Sequence, residues 1–112
     1  MISEEKVEES NVAQVMRALD SHIRRALMLL ALEGAKTSQE YKDELQKHGF
    51  DIKYKESIYK DLQLLVDACL VEKYYDNEKK SIVYGSRVDA VVFDLMKWSL
   101  YLKESVVERS MP

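Results

Sequence analysis

The chain has 112 residues and a mass of 13.1 kDa, with 17 Lys plus Arg against 20 Asp plus Glu and a formal net charge of −3. That length fits one domain of the usual ~100 to 150 residues, and 46% hydrophobic with 33% charged residues is a globular, not a disordered, composition. The three glycines, Gly34, Gly49 and Gly85, stand too far apart to write a phosphate-cradling loop or a dinucleotide fingerprint, which excludes nucleotide enzymes of those types.

The negative charge is terminal. Glu4, Glu5, Glu8 and Glu9 face only Lys6 in the first nine residues, and the remaining sixteen basic and sixteen acidic residues cancel. Apolar positions Val7, Val12, Val15, Met16 and Leu19 recur at helical spacing, so residues 3–19 are expected to form a first helix, with Ser3 capping an acid-biased first turn. A second helix, capped by Asp20 or Ser21, carries Ile23, Ala26, Leu27, Leu30 and Ala31 and stops at Gly34. Ser38 is expected to cap a short helix over residues 39–48 that buries Tyr41 and Leu45 and ends at Gly49.

A fourth helix, residues 55–68, places Ile58, Leu62, Leu65, Val66 and Cys69 on one side. Opposite them lie Glu56, Ser57, Lys60, Gln63, Leu64 and Asp67. The period then becomes extended: residues 71–75 and 82–85 read as a β-hairpin across a polar turn, with Asn77 suited to a positive φ. Residues 88–107 read as a long last helix, because Val88, Val92, Leu95, Ser99, Leu102, Val106 and Arg109 step by four and three as a heptad seam, with Val91, Trp98 and Tyr101 beside it. Pro112 is the single proline, so none of these helices is interrupted.

The expected fold is therefore mainly α with a small β-hairpin. One domain spans residues 1–112, divided into an N-terminal helix (1–19), a helix-turn-helix core with its hairpin (20–87) and a C-terminal helix (88–112). Residues 37–85 resemble the ArsR-like winged-helix transcription regulators, particularly small archaeal forms. The resemblance is carried by the Thr37-Ser38 helix start and by Ile58-Tyr59-Lys60-Asp61-Leu62-Gln63-Leu64-Leu65-Val66-Asp67 leading into Ala68-Cys69-Leu70-Val71-Glu72. The returning strand Ser81-Ile82-Val83-Tyr84 extends it. The family usually has Gly where this chain has Cys69. The resemblance implies a winged helix-turn-helix that binds double-stranded DNA.

On that reading the helix of residues 55–68 enters the major groove. Lys53, Lys55, Ser57, Lys60 and Gln63 are placed to reach bases or phosphates, with Gln63 able to pair with adenine and Lys60 with guanine. Lys79, Lys80 and Arg87 form an acid-free stretch around the hairpin, the wing on the backbone or minor groove. The heptad seam, with flanking residues of the first helix, implies a homodimer through Val12, Val15, Leu19, Val88, Val92, Leu95, Trp98, Leu102 and Val106.

No metal site or cofactor is expected, since soft-metal centres need several thiolates and Cys69, His22 and His48 stand apart. Cys69 reads as a small buried hydrophobe at a helix end. The scattered acids nominate no acid–base pair, so an enzyme is not expected. With one cysteine, no signal-like leader and a longest apolar run of seven residues, 26–32, against ~20 for a membrane span, a cytoplasmic protein without a membrane helix is expected. A small-molecule effector is not readable from these residues. The alternative function is a winged-helix module that binds another protein through its neutral surface, without DNA.

Overall fold

Helices form where apolar residues recur at helical spacing, and strands take both ends of the described residues. The computed structural model describes residues 2–105. In chain order the elements are β1 (Ile2–Lys6), α1 (Glu9–Leu19), α2 (His22–Glu33), α3 (Ser38–Lys47), α4 (Lys55–Asp67), β2 (Val71–Asp76), β3 (Ser81–Ser86), β4 (Ala90–Asp94) and β5 (Ser99–Ser105). The fold is α+β: four helices, an antiparallel hairpin β2–β3, and a three-stranded antiparallel sheet in the order β1-β5-β4.

The caps explain the helix boundaries. Ser21 accepts the Arg24 N–H at 3.2 Å and starts α2. Thr37 caps α3: its hydroxyl accepts the Glu40 N–H at 3.2 Å while the Glu40 carboxylate accepts the Thr37 N–H at 2.9 Å. The expected cap, Ser38, is instead the first helical residue and is buried. Thr37 wins because only it has a Glu three positions on to complete the reciprocal box.

At the far end of α4 the Leu70 N–H bonds the Leu65 carbonyl at 3.0 Å and the Cys69 N–H bonds that of Val66 at 2.9 Å, a Schellman closure. Such a closure needs a left-handed residue, and Cys69 takes it at φ 63°. Its thiol therefore projects to solvent, which corrects the expectation of a buried Cys69. Leu70, the next residue, is fully buried and is the apolar half of the closure.

The core gathers Leu27, Tyr41, Leu45, Ile58, Leu62, Leu65 and Leu70 between α2, α3, α4 and the hairpin. Lys36, between α2 and α3, pairs with Tyr84 of β3: the Lys36 N–H reaches the Tyr84 carbonyl at 3.1 Å and the Tyr84 N–H returns to the Lys36 carbonyl at 2.8 Å. The fully buried Tyr41 hydroxyl donates to the same Tyr84 carbonyl at 2.7 Å. Burial pushes the Tyr41 phenol well above its ordinary range. Hairpin and helices are thus joined by backbone as well as by apolar contact.

The ends depart from expectation. Over residues 88–105 the expected long helix is absent; β4 and β5 stand there, joined by a turn in which the Asp94 carboxylate accepts the Lys97 N–H at 3.0 Å and Trp98 takes φ 54°. Valines at 91 and 92 satisfied both a heptad and an alternating pattern. The β-branched and aromatic content of Val91, Val92, Phe93 and Tyr101 favours the strand. Alternation is plain in the register, where Val91 opposes Leu102 and Phe93 opposes Leu100 on the core side.

The N-terminal helix is shortened for the same reason. Residues 2–6 pair with β5, Glu4 opposite Lys103 and Lys6 opposite Tyr101, so Ser3 caps nothing and α1 begins only at Glu9. The acids of this end meet cations: Glu4 approaches Lys103 across the sheet at 3.7 Å, and Glu5 approaches Arg87, between β3 and β4, at 3.3 Å.

With the helix gone, the expected dimer seam dissolves. Val15, Val88 and Leu102 are buried within one subunit, and Val12 and Leu19 pack half-buried against the same core. Val92, Leu95 and Trp98 are exposed, and Val106 lies outside the described residues. No helix among the described residues is long and apolar enough to cross a membrane.

Candidate nucleic-acid interface

The outward face of α4 presents a short basic and polar strip. Tyr54 is extended at φ −127° and ends the link from α3, and its carbonyl accepts the Ser57 hydroxyl at 2.7 Å. Ser57, an expected contact, thus has its hydroxyl proton engaged locally. Lys53 and Lys60 are exposed, and Lys55, half-buried, holds its ammonium 5.7 Å from the centre of the Tyr59 ring. Gln63 is exposed with its amide donating to Asp67 at 2.8 Å, one turn further on.

Tyr59 was not among the expected contacts, yet it lies on this face beside Lys60. Its position three residues after Glu56 and four before Gln63 was the available signal. A hydrogen bond with Ser38, at the start of α3, together with the nearby Lys55 ammonium, holds its phenol below the ordinary range. Tyr59 therefore marks where the α3 start and the α4 face meet.

Acids on α4 weigh less than their number suggests. Asp61 turns inward and pairs with Arg24 of α2 at 2.9 Å. Arg24 also donates to the carbonyls of Ala18 at 2.7 Å and Arg17 at 3.1 Å, so one guanidinium ties the end of α1, the start of α2 and the middle of α4. Asp67 accepts from Gln63, which leaves Glu56 as the exposed acid nearest the first turn.

The hairpin tip is ordered by Asp76, whose carboxylate accepts the N–H groups of Glu78 at 2.8 Å and Lys79 at 3.1 Å. With the turn gathered this way the positive φ falls on Lys80, at 52°, and not on Asn77. The Lys79 ammonium bonds the Glu40 carboxylate at 2.8 Å, which brings the tip to the first turn of α3. That bond holds the Glu40 carboxyl below the usual carboxylate value and raises the Lys79 ammonium above its own.

Lys79 and Lys80 thus stand at the tip, and Lys53, Lys55, Ser57, Lys60 and Gln63 along α4. Arg87 is not brought to either group. Ser86 pairs with Val71 at the base of the hairpin and Ser81 with Asp76 at its tip, so Arg87 sits beyond the base, roughly 20 Å along the chain from the tip. There its guanidinium donates to the Cys69 carbonyl at 2.8 Å and to Glu5 at 3.3 Å. Lys73, unexpected as a contact, projects from β2 with its ammonium 6.0 Å from the Tyr84 ring.

Among the described residues, no group of three or more His, Cys, Asp or Glu side chains is arranged to hold a metal ion. In comparisons with protein-family models, with curated proteins and with solved structures, the chain matched none.

Proposed function

We propose that this protein is a transcription regulator that binds double-stranded DNA as a winged helix-turn-helix, with α3 and α4 as the helix-turn-helix and β2–β3 as the wing. The observation that carries the reading is the joint between the elements: α4 exposes Tyr59, Lys60 and Gln63, and the Lys79–Glu40 bond sets the hairpin tip beside the start of α3. A helix of this kind fits the major groove, where Gln63 suits adenine and Lys60 suits guanine, while Lys53, Lys55 and Lys80 lie to the sides for phosphates.

The net charge of −3 does not oppose this. Two of the N-terminal acids that produce it are paired, Glu5 with Arg87 beyond the C-terminal end of α4 and Glu4 with Lys103 on the three-stranded sheet. Non-specific affinity is accordingly modest and steeply salt-dependent.

The test is fluorescence anisotropy with a random-sequence duplex pool and with duplexes selected from it, across a salt series. Binding that falls steeply with salt supports the reading, and absence of duplex binding at low salt refutes it. Lys60→Ala and Gln63→Ala should change which sequences are selected, whereas Lys79→Ala with Lys80→Ala should weaken all duplexes alike.

Two observations favour the alternative, a protein-binding winged-helix module: Glu40 neutralises Lys79 at the tip, and Leu64 is exposed on the α4 face. A stoichiometric protein partner that survives Lys60→Ala, with no shift of duplex mobility, would decide for that alternative.

A further inference from the structure

The two edges of the three-stranded sheet are unequal. On β1 the edge carries Glu4, Glu5 and Lys6, all exposed, the charged kind of edge that discourages pairing with another chain. On β4 the residues are Ala90, Val91, Val92, Phe93 and Asp94, with no Lys, Pro or Gly, and the described residues place no strand on its outer side. Beyond it the turn exposes apolar surface: Leu95 is 73%, Met96 96% and Trp98 76% accessible, and Val92 on the strand itself 37%.

The geometry points to a second copy of this chain as the occupant of that edge, β4 pairing antiparallel with the partner's β4 about a two-fold axis to make a six-stranded sheet. The strand is complementary to itself. If the axis is normal to the sheet, both inner faces stay on one side, and opposed residues must then share a face. Registers centred on Val91, Val92 or Phe93 meet that condition, and only the one centred on Val92 pairs all five residues of β4.

In that register Val91 opposes the partner's Phe93, the β-branched and aromatic pairing that strands favour. These two residues already pack against the core, so the core side of each sheet would continue into the other. Asp94 opposes the partner's Ala90, which keeps the two aspartates apart. Val92 opposes its own copy on the outer face. Edge pairing of this kind is isologous and closes after two subunits.

Self-association is measured without DNA, so its failure leaves the DNA reading untouched, and the reverse holds. Sedimentation velocity of the full chain across the micromolar range should show a dimer. Val92→Lys places like charges opposite each other at the axis and should raise the dissociation constant roughly 5- to 30-fold, with an unchanged circular-dichroism spectrum because Val92 is not in the core. Leu29→Lys, on the exposed side of α2, should leave the dimer intact.

In a Cys69→Ser background, Val92→Cys should form a disulfide-linked dimer on mild oxidation, and Ala90→Cys should not. The proposal is overturned by a monomer at every concentration, by a dimer that survives Val92→Lys, by one that Leu29→Lys dissociates, or by cross-linking through Ala90→Cys in place of Val92→Cys.

Discussion

Removing the Asp61 carboxylate tests whether the acid in the middle of α4 serves the fold and not the outer face. Its partner Arg24 lies 2.9 Å away, with side-chain exposures of 14% for Arg24 and 19% for Asp61. An exposed pair would contribute ~0.2–1 kcal/mol, whereas breaking a fully buried one costs ~3–5 kcal/mol. Arg24 keeps the carbonyls of Ala18 and Arg17 after Asp61→Ala, so its charge is not stranded, and the loss should be about 2 kcal/mol. For a domain of this size that lowers Tm by roughly 8 °C.

Urea and thermal unfolding followed by circular dichroism measure this loss, and a cycle with Arg24→Met isolates the pair. The Arg24→Met, Asp61→Leu double variant should lose at least ~1 kcal/mol less than the sum of the Arg24→Met and Asp61→Leu single variants. Duplex affinity of folded Asp61→Ala should stay within about twofold of the parent, since small changes follow when no phosphate or base contact is touched. A stability change below ~0.5 kcal/mol, the usual range for surface substitutions, would refute the inward assignment, and so would a clear gain in duplex affinity.

Tyr41→Phe should cost about 1 kcal/mol in urea unfolding, because the Tyr84 carbonyl keeps the Lys36 N–H; Tyr41→Ala, which empties a fully buried site, should cost ~3–5 kcal/mol. Cys69→Gly should raise stability by about 1 kcal/mol, since φ 63° strains a side chain but not glycine, and an unchanged or lower Tm would contradict this. The Glu40 carboxyl is held below its ordinary value of 4.5, chiefly by Lys79, so its stabilisation of the tip is fully present above that value and is lost as pH falls through the lowered one. Protection of the amides of residues 77–80, relative to their intrinsic exchange at each pH, should fall over that acid range, and Glu40→Gln should flatten the response. A tip whose protection ignores both pH and Glu40→Gln would not be tied as described.

Legibility in the sequence varied along the chain. The middle was plain because α2 and α3 have side-chain caps and the strands a short polar turn: Ser21, Gly34 and Gly49 stand at the observed boundaries, and the hairpin of residues 71–76 with 81–86 agrees within a residue. The ends were misread because adjacent valines fit a heptad as well as an alternation, and because β1 has no apolar signal of its own. Ser3, Glu4, Glu5 and Lys6 become a strand only because β5 is there to pair with them.

Within the candidate site, the lysines of α4 and the tip were legible from spacing alone. Tyr59 was not distinguished from its neighbours, and Asp61 and Arg87 were invisible in their actual roles because each answers to a residue distant in sequence, Arg24 and Glu5 respectively. Local periodicity reports which way a side chain points, and it carries no word of the partner that waits there.

The pairing of β1 with β5 also sets an order of events. Lys6 and Tyr101 are partners across 95 positions of chain, so β1, made before the other described strands, is among the last to find its place. At about 5–20 residues per second it waits roughly 5–20 s for β5 to be made, while α2, α3, α4 and the hairpin, whose contacts lie closer together in sequence, have time to assemble. The charged side chains of β1 suit it to that interval, since a strand rich in Glu and Lys is a poor template for stray pairing.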